Sequence, residues 1–222
     1  MKTTMKLVGG WFILCLLATA PLNAADGTTR LNATSGSKMR VEGTSTFHDW
    51  QVESTLILGF LEVGSNFPIE PGQAATPGKV DAKGAAYVTV RSLGSVEKNG
   101  TKYSDKMDEK MWDMMQQPKF PRVEFRIKEL VLKEAPKDKS APYVFDSQGD
   151  LTVAGVTNAI KMAVNVMPLG DKKVKLTGTT PLKMSQFKID PASILFAKTG
   201  DDVTVKFEWV LKVAAPAPAA AK

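Results

Sequence analysis

The stretch STFHDW at residues 45–50 contains the only histidine of the 222-residue chain, so it is the first place to look for catalysis. In a hydrolase triad, His48 would act as the base, Asp49 would orient it, and Ser45 would supply the nucleophilic hydroxyl. Neighbouring residues on a strand point to opposite faces, so His48 and Asp49 would meet only at a local bend. No serine has the sequence surroundings of a nucleophile elbow. These residues favour a structural turn, with a hydrolase or isomerase that uses His48 as the less favoured alternative.

Metal ligands and cofactor motifs are scarce in this sequence. The chain has one histidine and one cysteine, Cys15, so a zinc site would need several carboxylates, which is an unusual set of ligands. The sequence contains no Walker loop and no dinucleotide-binding glycine pattern after a predicted strand. It therefore predicts no catalytic residue, no metal site and no cofactor, and it favours a binding or structural protein over an enzyme.

The first 24 residues have the three regions of a secretory signal peptide. A basic start is followed by an apolar run from Leu7 to Ala20 and by small residues up to Ala24. The apolar run is too short for a comfortable membrane span, which needs about 20 residues. We therefore expect cleavage after Ala24 and a periplasmic or secreted protein. Cys15 would leave with the signal peptide, so disulfides would not stabilise the mature chain.

The remaining residues are expected to form one domain over 25–213 and a disordered tail of alanine and proline over 214–222. Loss of the two lysines in the signal peptide lowers the formal net charge from +6 to +4. The remaining lysines are scattered and form no basic run interleaved with aromatic residues, so we expect no nucleic-acid partner. Transient contact with a membrane and a homodimer are both compatible with this composition.

Most of the mature chain alternates apolar and polar residues, the pattern of half-buried strands. Turn residues such as Asn99-Gly100 and Gly170-Asp171 separate several of these segments. Short connections between about eight strands predict an all-β fold, an antiparallel sandwich or barrel. The alternating segments are SKMRVEG, VESTLILGFL, AAYVTVRS, VEFRIKELVL (with a register slip near Glu129 and Leu130), AIKMAVNV, VKLTGTTPL and VTVKFEWVLKV.

One segment has helical periodicity instead. Ser104 is the predicted N-cap, and Pro118 is expected to stop the helix. The apolar face of this helix must be buried, either as simple core packing or as the flexible wall of an apolar cavity. A loop rich in proline and glycine, residues 64–80, is expected to guard an opening. The apolar positions at helical spacing are Tyr103, Met107, Met111, Met114 and Met115.

Three segments resemble the YceI-like family. QPKFPRVEFR (117–126) resembles the family's strand entry after the helix, and GDLTVAGVTNAIKMAVNV (149–166) resembles its hairpin. SQFKIDPASILFAKTGDDVTVKFEWVL (185–211) resembles its closing segment, although Lys188 stands where many members have glycine. VEGTSTFHDW is similar to a form found in one branch of the family, and the resemblance covers about residues 37–213.

This resemblance implies a lipocalin-like antiparallel barrel of about eight strands with a long apolar pore. It also implies non-catalytic binding of an amphiphile with an isoprenoid tail, such as a polyisoprenoid or an isoprenoid quinone, with a different lipid or another long-chain amphiphile as the alternative. The residues themselves leave open whether the barrel holds a ligand or is filled by its own side chains as a structural or interaction domain. If it holds a ligand, the expected wall comprises Leu56, Leu58, Val88, Val90, Met111, Met114, Phe125, Ile127, Met162, Val164, Phe207 and Trp209, with Trp50 and Tyr103 at the mouth.

Overall fold

The computed structural model describes residues 27–191, 193–194 and 197–215, so the predicted signal peptide and all but two residues of the predicted tail lie outside the described residues. Within them, one α-helix, α1, spans Asp105–Met114, and single 3-10 turns occupy Val90–Ser92 and Met184–Phe187. The strands are β1 Thr29–Ala33, β2 Lys38–Ser45, β3 Trp50–Ser54, β4 Leu58–Val63, β5 Gly78–Val80, β6 Ala82–Thr89, β7 Gly94–Val96, β8 Arg122–Glu134, β9 Tyr143–Val153, β10 Val156–Gly170, β11 Lys173–Lys183, β12 Ser193–Ile194 and β13 Ala197–Val213.

Eight antiparallel strands form a closed barrel, which confirms the predicted fold class. The order around the barrel is β1, β4, β6, β8, β9, β10, β11 and β13, and pairing of β13 with β1 closes the ring. The predicted register slip is also confirmed, because the pairing of β8 with β9 shifts between Ile127 and Glu129. Closure leaves no long open edge, so the alternating apolar residues share one interior.

Three neighbouring strands of the barrel are each broken into two segments. β1 and β2 pair with successive parts of β13. β4 and β3 pair in turn with β1 and β2, and β6 and β7 pair with β4 and β3. Buried serines satisfy backbone groups at the breaks. Ser37 Oγ accepts from Val210 N at 3.0 Å and donates to Thr34 O at 3.2 Å. Ser54 Oγ lies 2.9 Å from Ser92 Oγ, which links the two other breaks.

One end of the barrel, which we call the closed half, is filled by its own side chains. Phe67 and Phe145 pack with their ring centroids 5.7 Å apart, and the hydroxyl of Tyr143 donates to the carbonyl of Gln73. Burial raises the pKa of that tyrosine hydroxyl. The closed half is defined by ten side chains that are at most 2% exposed: Leu31, Leu61, Val63, Phe67, Leu132, Tyr143, Phe145, Val166, Val174 and Leu211.

The loop of residues 64–80 belongs to the closed half, so the expectation that it guards an opening is wrong. Its Phe67 enters the core, and its last residues form β5 and pair with β8 through Gly78 and Leu132. The side chain of Gln73 holds the loop together by accepting from the backbone of Ile69 at 2.9 Å and donating to the carbonyl of Phe67 at 3.1 Å. The loop therefore seals the closed end of the barrel.

Helix α1 follows β7 where the other end of the barrel is open. Ser104 Oγ accepts from Met107 N at 3.4 Å, which confirms the predicted N-cap. The helix ends at Met114, before Pro118, because Gln116 adopts a left-handed conformation with φ of 51°. Asp108, only 2% exposed, fixes the helix to β7 by accepting from Ser95 N at 2.6 Å.

Candidate ligand-binding cavity

The second half of the barrel, which we call the open half, contains a cavity of about 770 Å³. Its lining is mostly apolar and includes residues from every strand of the ring except β1 and β4, together with β2, β3, β7 and α1. This volume lies within the range of about 300–1,000 Å³ that is typical of small-molecule sites. The size and lining suit a ligand that is itself mostly apolar.

Strand alternation places most of this lining. On β13, every second side chain from Val203 through Val205 and Phe207 faces the cavity. The cross-strand partners of two of these residues, Val41 and Met39 on β2, line it too. Because side chains alternate between faces, the intervening Lys206 and Glu208 point to solvent. The same sequence pattern that predicts the strands therefore produces a continuous apolar wall.

Methionines form an unusually large share of the lining. Residues of α1 and the turn after it cover the side where β7 and β8 separate. Trp112 anchors this part of the helix, because its indole N–H donates to the carbonyl of Leu93 at 3.0 Å. Unbranched thioether side chains adapt to ligands of irregular shape, so this wall can follow the contour of a bound chain. The methionines that line the cavity are Met39, Met107, Met111, Met114, Met115, Met162 and Met184.

The structure brings eleven of the fourteen residues predicted for the site to the cavity. Trp50 on β3 pairs with Gly43 on β2 at the open end, and Tyr103 lies between β7 and α1. The cavity-lining residues among those predicted are Trp50, Val88, Tyr103, Met111, Met114, Phe125, Ile127, Met162, Val164, Phe207 and Trp209.

Three of the predicted wall residues do not line the cavity, because the strand breaks change which face they occupy. The alternation predicts Leu56 and Leu58 on one continuous strand with Val52, but β3 ends at Ser54 and β4 begins at Leu58. Leu56 is 45% exposed, and Ile57 between the two leucines lines the cavity instead. An interruption in the strand reverses the inside and outside positions that follow it.

Val90 is the third of these residues. Alternation continued past β6 would place it beside Val88 on the wall, but the chain leaves the strand at Thr89 and forms a 3-10 turn. Val90 is buried in the core, and its N–H donates to the carbonyl of Pro121 at 2.9 Å. Val90 is therefore part of the core and not of the cavity wall.

Several lining residues were absent from the predicted wall although the sequence carried a signal for some of them. Val203 and Val205 alternate with the same period as Phe207 and Trp209, so extending the face would have found them. By contrast, Phe187 and Ile189 lie in the connection between β11 and β13, and they line the cavity because of the path that this connection takes. The lining residues that the prediction left out include Met39, Val41, Val52, Ile57, Met107, Met115, Leu151, Leu176, Leu182, Phe187, Ile189, Val203 and Val205.

The motif STFHDW forms the connection between β2 and β3 at the mouth of the cavity. The hydroxyl of Ser45 donates to the carbonyl of His48 at 2.7 Å and accepts from its N–H at 3.3 Å. The ring nitrogen Nδ1 of His48 lies 2.9 Å from the backbone carbonyl of Asp49. The serine hydroxyl and the imidazole are thus engaged with backbone groups, which fits the structural turn better than a catalytic relay.

Charged side chains surround the mouth. Lys183 lines the cavity and binds Asp202 at 2.6 Å, and this hydrogen bond raises the pKa of the lysine. Lys98 and Lys110 also line the mouth, and neither lies within ion-pair distance of a carboxylate of the described residues. A polar headgroup leaving an apolar cavity would meet these cations and the ring of His48. The His48 ring packs edge to face against Tyr103, with the two ring centroids 6.1 Å apart.

Other kinds of site are not seen in the described part of the chain. There, no three or more histidine, cysteine, aspartate or glutamate side chains are grouped so that they could hold a metal ion. No helix within the described ranges is long and apolar enough to span a membrane. The cavity is therefore the feature of the described structure that calls for a functional explanation.

Comparison with known proteins gives the family. Residues 49–211 match the YceI-like domain. The chain belongs to the YceI-like family. This confirms the resemblance seen in the hairpin and closing segments of the sequence. No match is found among the curated protein sequences with which the chain was compared.

Solved structures of the same architecture share little sequence with this YceI-like chain. BcnA of Burkholderia cenocepacia is 19% identical, with a TM-score of 0.54 over 78% of this chain and 95% of that one. A polyisoprenoid binding domain from Saccharophagus degradans is 12% identical, with a TM-score of 0.59 over 84% of this chain and 99% of the other. At these identities the likeness establishes the fold, and the ligand must be argued from the cavity.

Proposed function

We propose that this protein binds an amphiphile with an isoprenoid tail, a polyisoprenoid or an isoprenoid quinone, and holds the tail in the open half of the barrel. Its role would be that of a non-catalytic carrier or sequestering protein. The observation that carries the proposal is a cavity of about 770 Å³ with an apolar wall and one sealed end. A hydrocarbon chain would be held there by burial, about 25 cal/mol for each Å² of apolar surface removed from water.

The isoprenoid nature of the tail is supported by two independent considerations. The chain belongs to the YceI-like family, and a structural relative is named as a polyisoprenoid binding domain. The methionine-rich wall offers side chains that adjust to the methyl branches of an isoprenoid. A straight acyl chain is the competing ligand, and the experiments below include it.

The non-catalytic role is supported by the surroundings of His48, the residue on which an enzymatic alternative would depend. The hydroxyl of Ser45 donates to the backbone carbonyl of His48, and the imidazole of His48 contacts the carbonyl of Asp49. Replacement of His48 by alanine should lower the thermal stability of the turn. Loss of a measurable hydrolase or isomerase activity with unchanged stability would favour the enzyme instead.

The proposed location is the periplasm or the extracellular space, supported by the signal-peptide pattern of residues 1–24 and by the absence of cysteine after Cys15. A ligand of very low solubility in water would be exchanged most readily at a membrane. Exposed apolar side chains stand at the mouth, with Phe47 72% exposed and Tyr103 and Met107 nearly half exposed. We propose that they touch the membrane transiently during exchange.

The direct test of the function is extraction of the purified protein with organic solvent, followed by mass spectrometry and by titration of the stripped protein with an isoprenoid quinone. We expect an isoprenoid lipid in the extract and saturable uptake of the quinone. A protein denatured before the titration serves as the control for nonspecific adsorption. Failure to find any lipid and to take up added quinone or polyprenol would contradict the proposal.

A further inference from the structure

Three glycines occupy inward-facing positions of the barrel wall, and an aromatic ring lies against each of them. Each ring lines the cavity, and the strand that carries the ring pairs with the strand that carries its glycine. The pairs are Gly43 with Trp50, Gly149 with Phe125, and Gly178 with Phe207.

The backbone does not require glycine at these positions. Other glycines of the chain, such as Gly59 and Gly155, have positive φ angles that side chains rarely adopt, but Gly43, Gly149 and Gly178 do not. What excludes a side chain is the neighbouring ring. A Cβ atom at position 178 would lie 2.6 Å from Cε1 of the Phe207 ring.

The same close approach occurs at Gly43, where a Cβ atom would lie 2.2 Å from Cζ2 of Trp50. At Gly43 the three nearest atoms all belong to the Trp50 ring, which can rotate. At Gly178 two belong to the Phe207 ring, and the third is the backbone oxygen of Ala163 at 3.1 Å, a milder conflict. At Gly149 the backbone oxygen of Arg126 would lie only 2.3 Å away, so a substitution there would strain the backbone. Gly43 therefore tests ring placement alone, and Gly178 tests it with one tight backbone contact.

The geometry has a consequence for the width of the cavity. Gly178 shares the inward face of β11 with Leu176 and Thr180, both of which line the cavity. Because position 178 has no side chain, the ring of its cross-strand partner Phe207 lies flush against the wall. With any larger residue at 178, the ring would have to turn toward the interior and narrow the cavity.

We propose that Gly178 and Gly43 determine ligand specificity by recessing Phe207 and Trp50, so that the open half admits a methyl-branched chain and not only a slender straight one. This inference rests on the proposed function, because it takes the apolar tail to lie along these rings. It assigns specificity to residues that contribute no side chain to the ligand. The competing explanation is that each glycine permits a bend of the barrel, with the ring covering it.

The test compares two quinone probes with the same headgroup, one with a four-unit isoprenoid tail and one with a straight alkyl tail of equal length. Gly178→Ala should weaken binding of the branched probe about tenfold and of the straight probe by less than about threefold, since a hydrophobic pocket discriminates about that strongly per small group. Adding Phe207→Ala to this variant should restore the branched probe. Gly94→Ala is the matched control, because its Cβ atom would meet only Asp108 Oδ2 at an ordinary 3.6 Å.

Equal losses for both probes, or a loss that persists in the double variant, would overturn the inference. A variant that melts at a lower temperature but binds both probes as the wild type does would also overturn it, because that result supports the explanation that the glycine only permits a bend of the barrel. If Gly178→Ala fails to fold, Gly43→Ala with and without Trp50→Ala provides the same comparison. A crystal structure of the Gly178→Ala variant distinguishes this inference from the proposed function. An unmoved Phe207 ring contradicts the inference even if the wild type binds lipid, whereas failure of the wild type to bind either probe contradicts the proposed function.

Discussion

The closed and open halves of the barrel are built from the same strands but differ in the size of their inward side chains. On β9 the inward face passes from Tyr143 and Phe145 in the closed half to Ser147 and Gly149 in the open half. The large side chains meet Phe67 from the sealing loop and fill the interior. Side-chain volume along one face thus decides whether a barrel of this size is solid or has room for a ligand.

The two halves also differ in the flexibility of their walls. The closed half contains branched and aromatic side chains with few alternative rotamers, as expected of a rigid core. The open half is lined by methionines and by the helix α1, which joins the barrel mainly through Asp108 and Trp112. We infer that stability resides chiefly in the closed half and propose that binding resides in the open half, and four predictions test this division.

The largest expected effect comes from Phe145→Ala. Removal of a fully buried ring from the closed half should lower the free energy of unfolding by about 3–5 kcal/mol. Phe125→Ala is the matched variant in the open half and should cost clearly less, since its ring already borders a cavity. Denaturant titration of the ligand-free protein measures both values. Equal losses in the free energy of unfolding would show that the closed half does not contribute more to stability than the open half.

Filling the open half should remove binding without unfolding the protein. Ala86 faces the cavity on β6, so Ala86→Phe should weaken uptake of an isoprenoid quinone about a hundredfold, or about 2.7 kcal/mol. Ala85→Phe, on the opposite face of the same strand, is the control and should bind as the wild type does. Unchanged affinity in Ala86→Phe would place the ligand outside the cavity.

Tyr143→Phe removes a single hydrogen bond from the closed half. The carbonyl of Gln73 would lose its buried donor, at a cost of about 1–2 kcal/mol, with quinone affinity unchanged. Because burial raises the pKa of Tyr143 above 10.0, the wild type should lose stability as the pH rises through 10 and beyond. The Tyr143→Phe variant should lose less stability over that range. Identical dependence of stability on alkaline pH in the variant and the wild type would contradict the account.

The smallest effect concerns an ion-pair cluster on the outside of β2 and β3. Partial burial opposes ionisation of Glu53, but hydrogen bonds and charges from Lys38 and Arg40 outweigh it and lower the pKa of this carboxyl below 4.5. Its contribution is therefore present above pH 4.5 and is lost as the pH falls through the lowered value. Glu53→Gln should cost about 1 kcal/mol at neutral pH and nothing in strong acid. Equal losses at both pH values would exclude the ion pairs as the cause.

Much of the fold could be predicted from local patterns. Alternation of apolar residues predicts the strands, and the cap at Ser104 predicts the start of the helix, because both depend on interactions within a few residues. The slip near Glu129 was visible because the alternation itself fails there. The inward face of β13 around Phe207 and Trp209 is equally clear, since the seven residues from Val203 to Trp209 alternate strictly between apolar and polar.

The rest depends on contacts between distant segments. The breaks at Ser54 and Ser92 are stabilised by the hydrogen bond between their hydroxyls, which no local pattern encodes. Extrapolated alternation therefore places Leu56, Leu58 and Val90 on the cavity wall, where they do not lie. The composition of residues 64–80 predicts a loop but not the end of the barrel that it covers. Its strongest local clue is Phe67, an aromatic residue in a segment rich in polar residues, glycine and proline.

The measurement that tests the central claim most directly is a crystal structure of the protein after incubation with an isoprenoid quinone. We expect continuous density for the tail between Trp209 and the mouth near Tyr103, with the closed half unchanged. Density confined to the outer surface, or an interior in which the protein's own side chains have moved to occupy the open half, would contradict it.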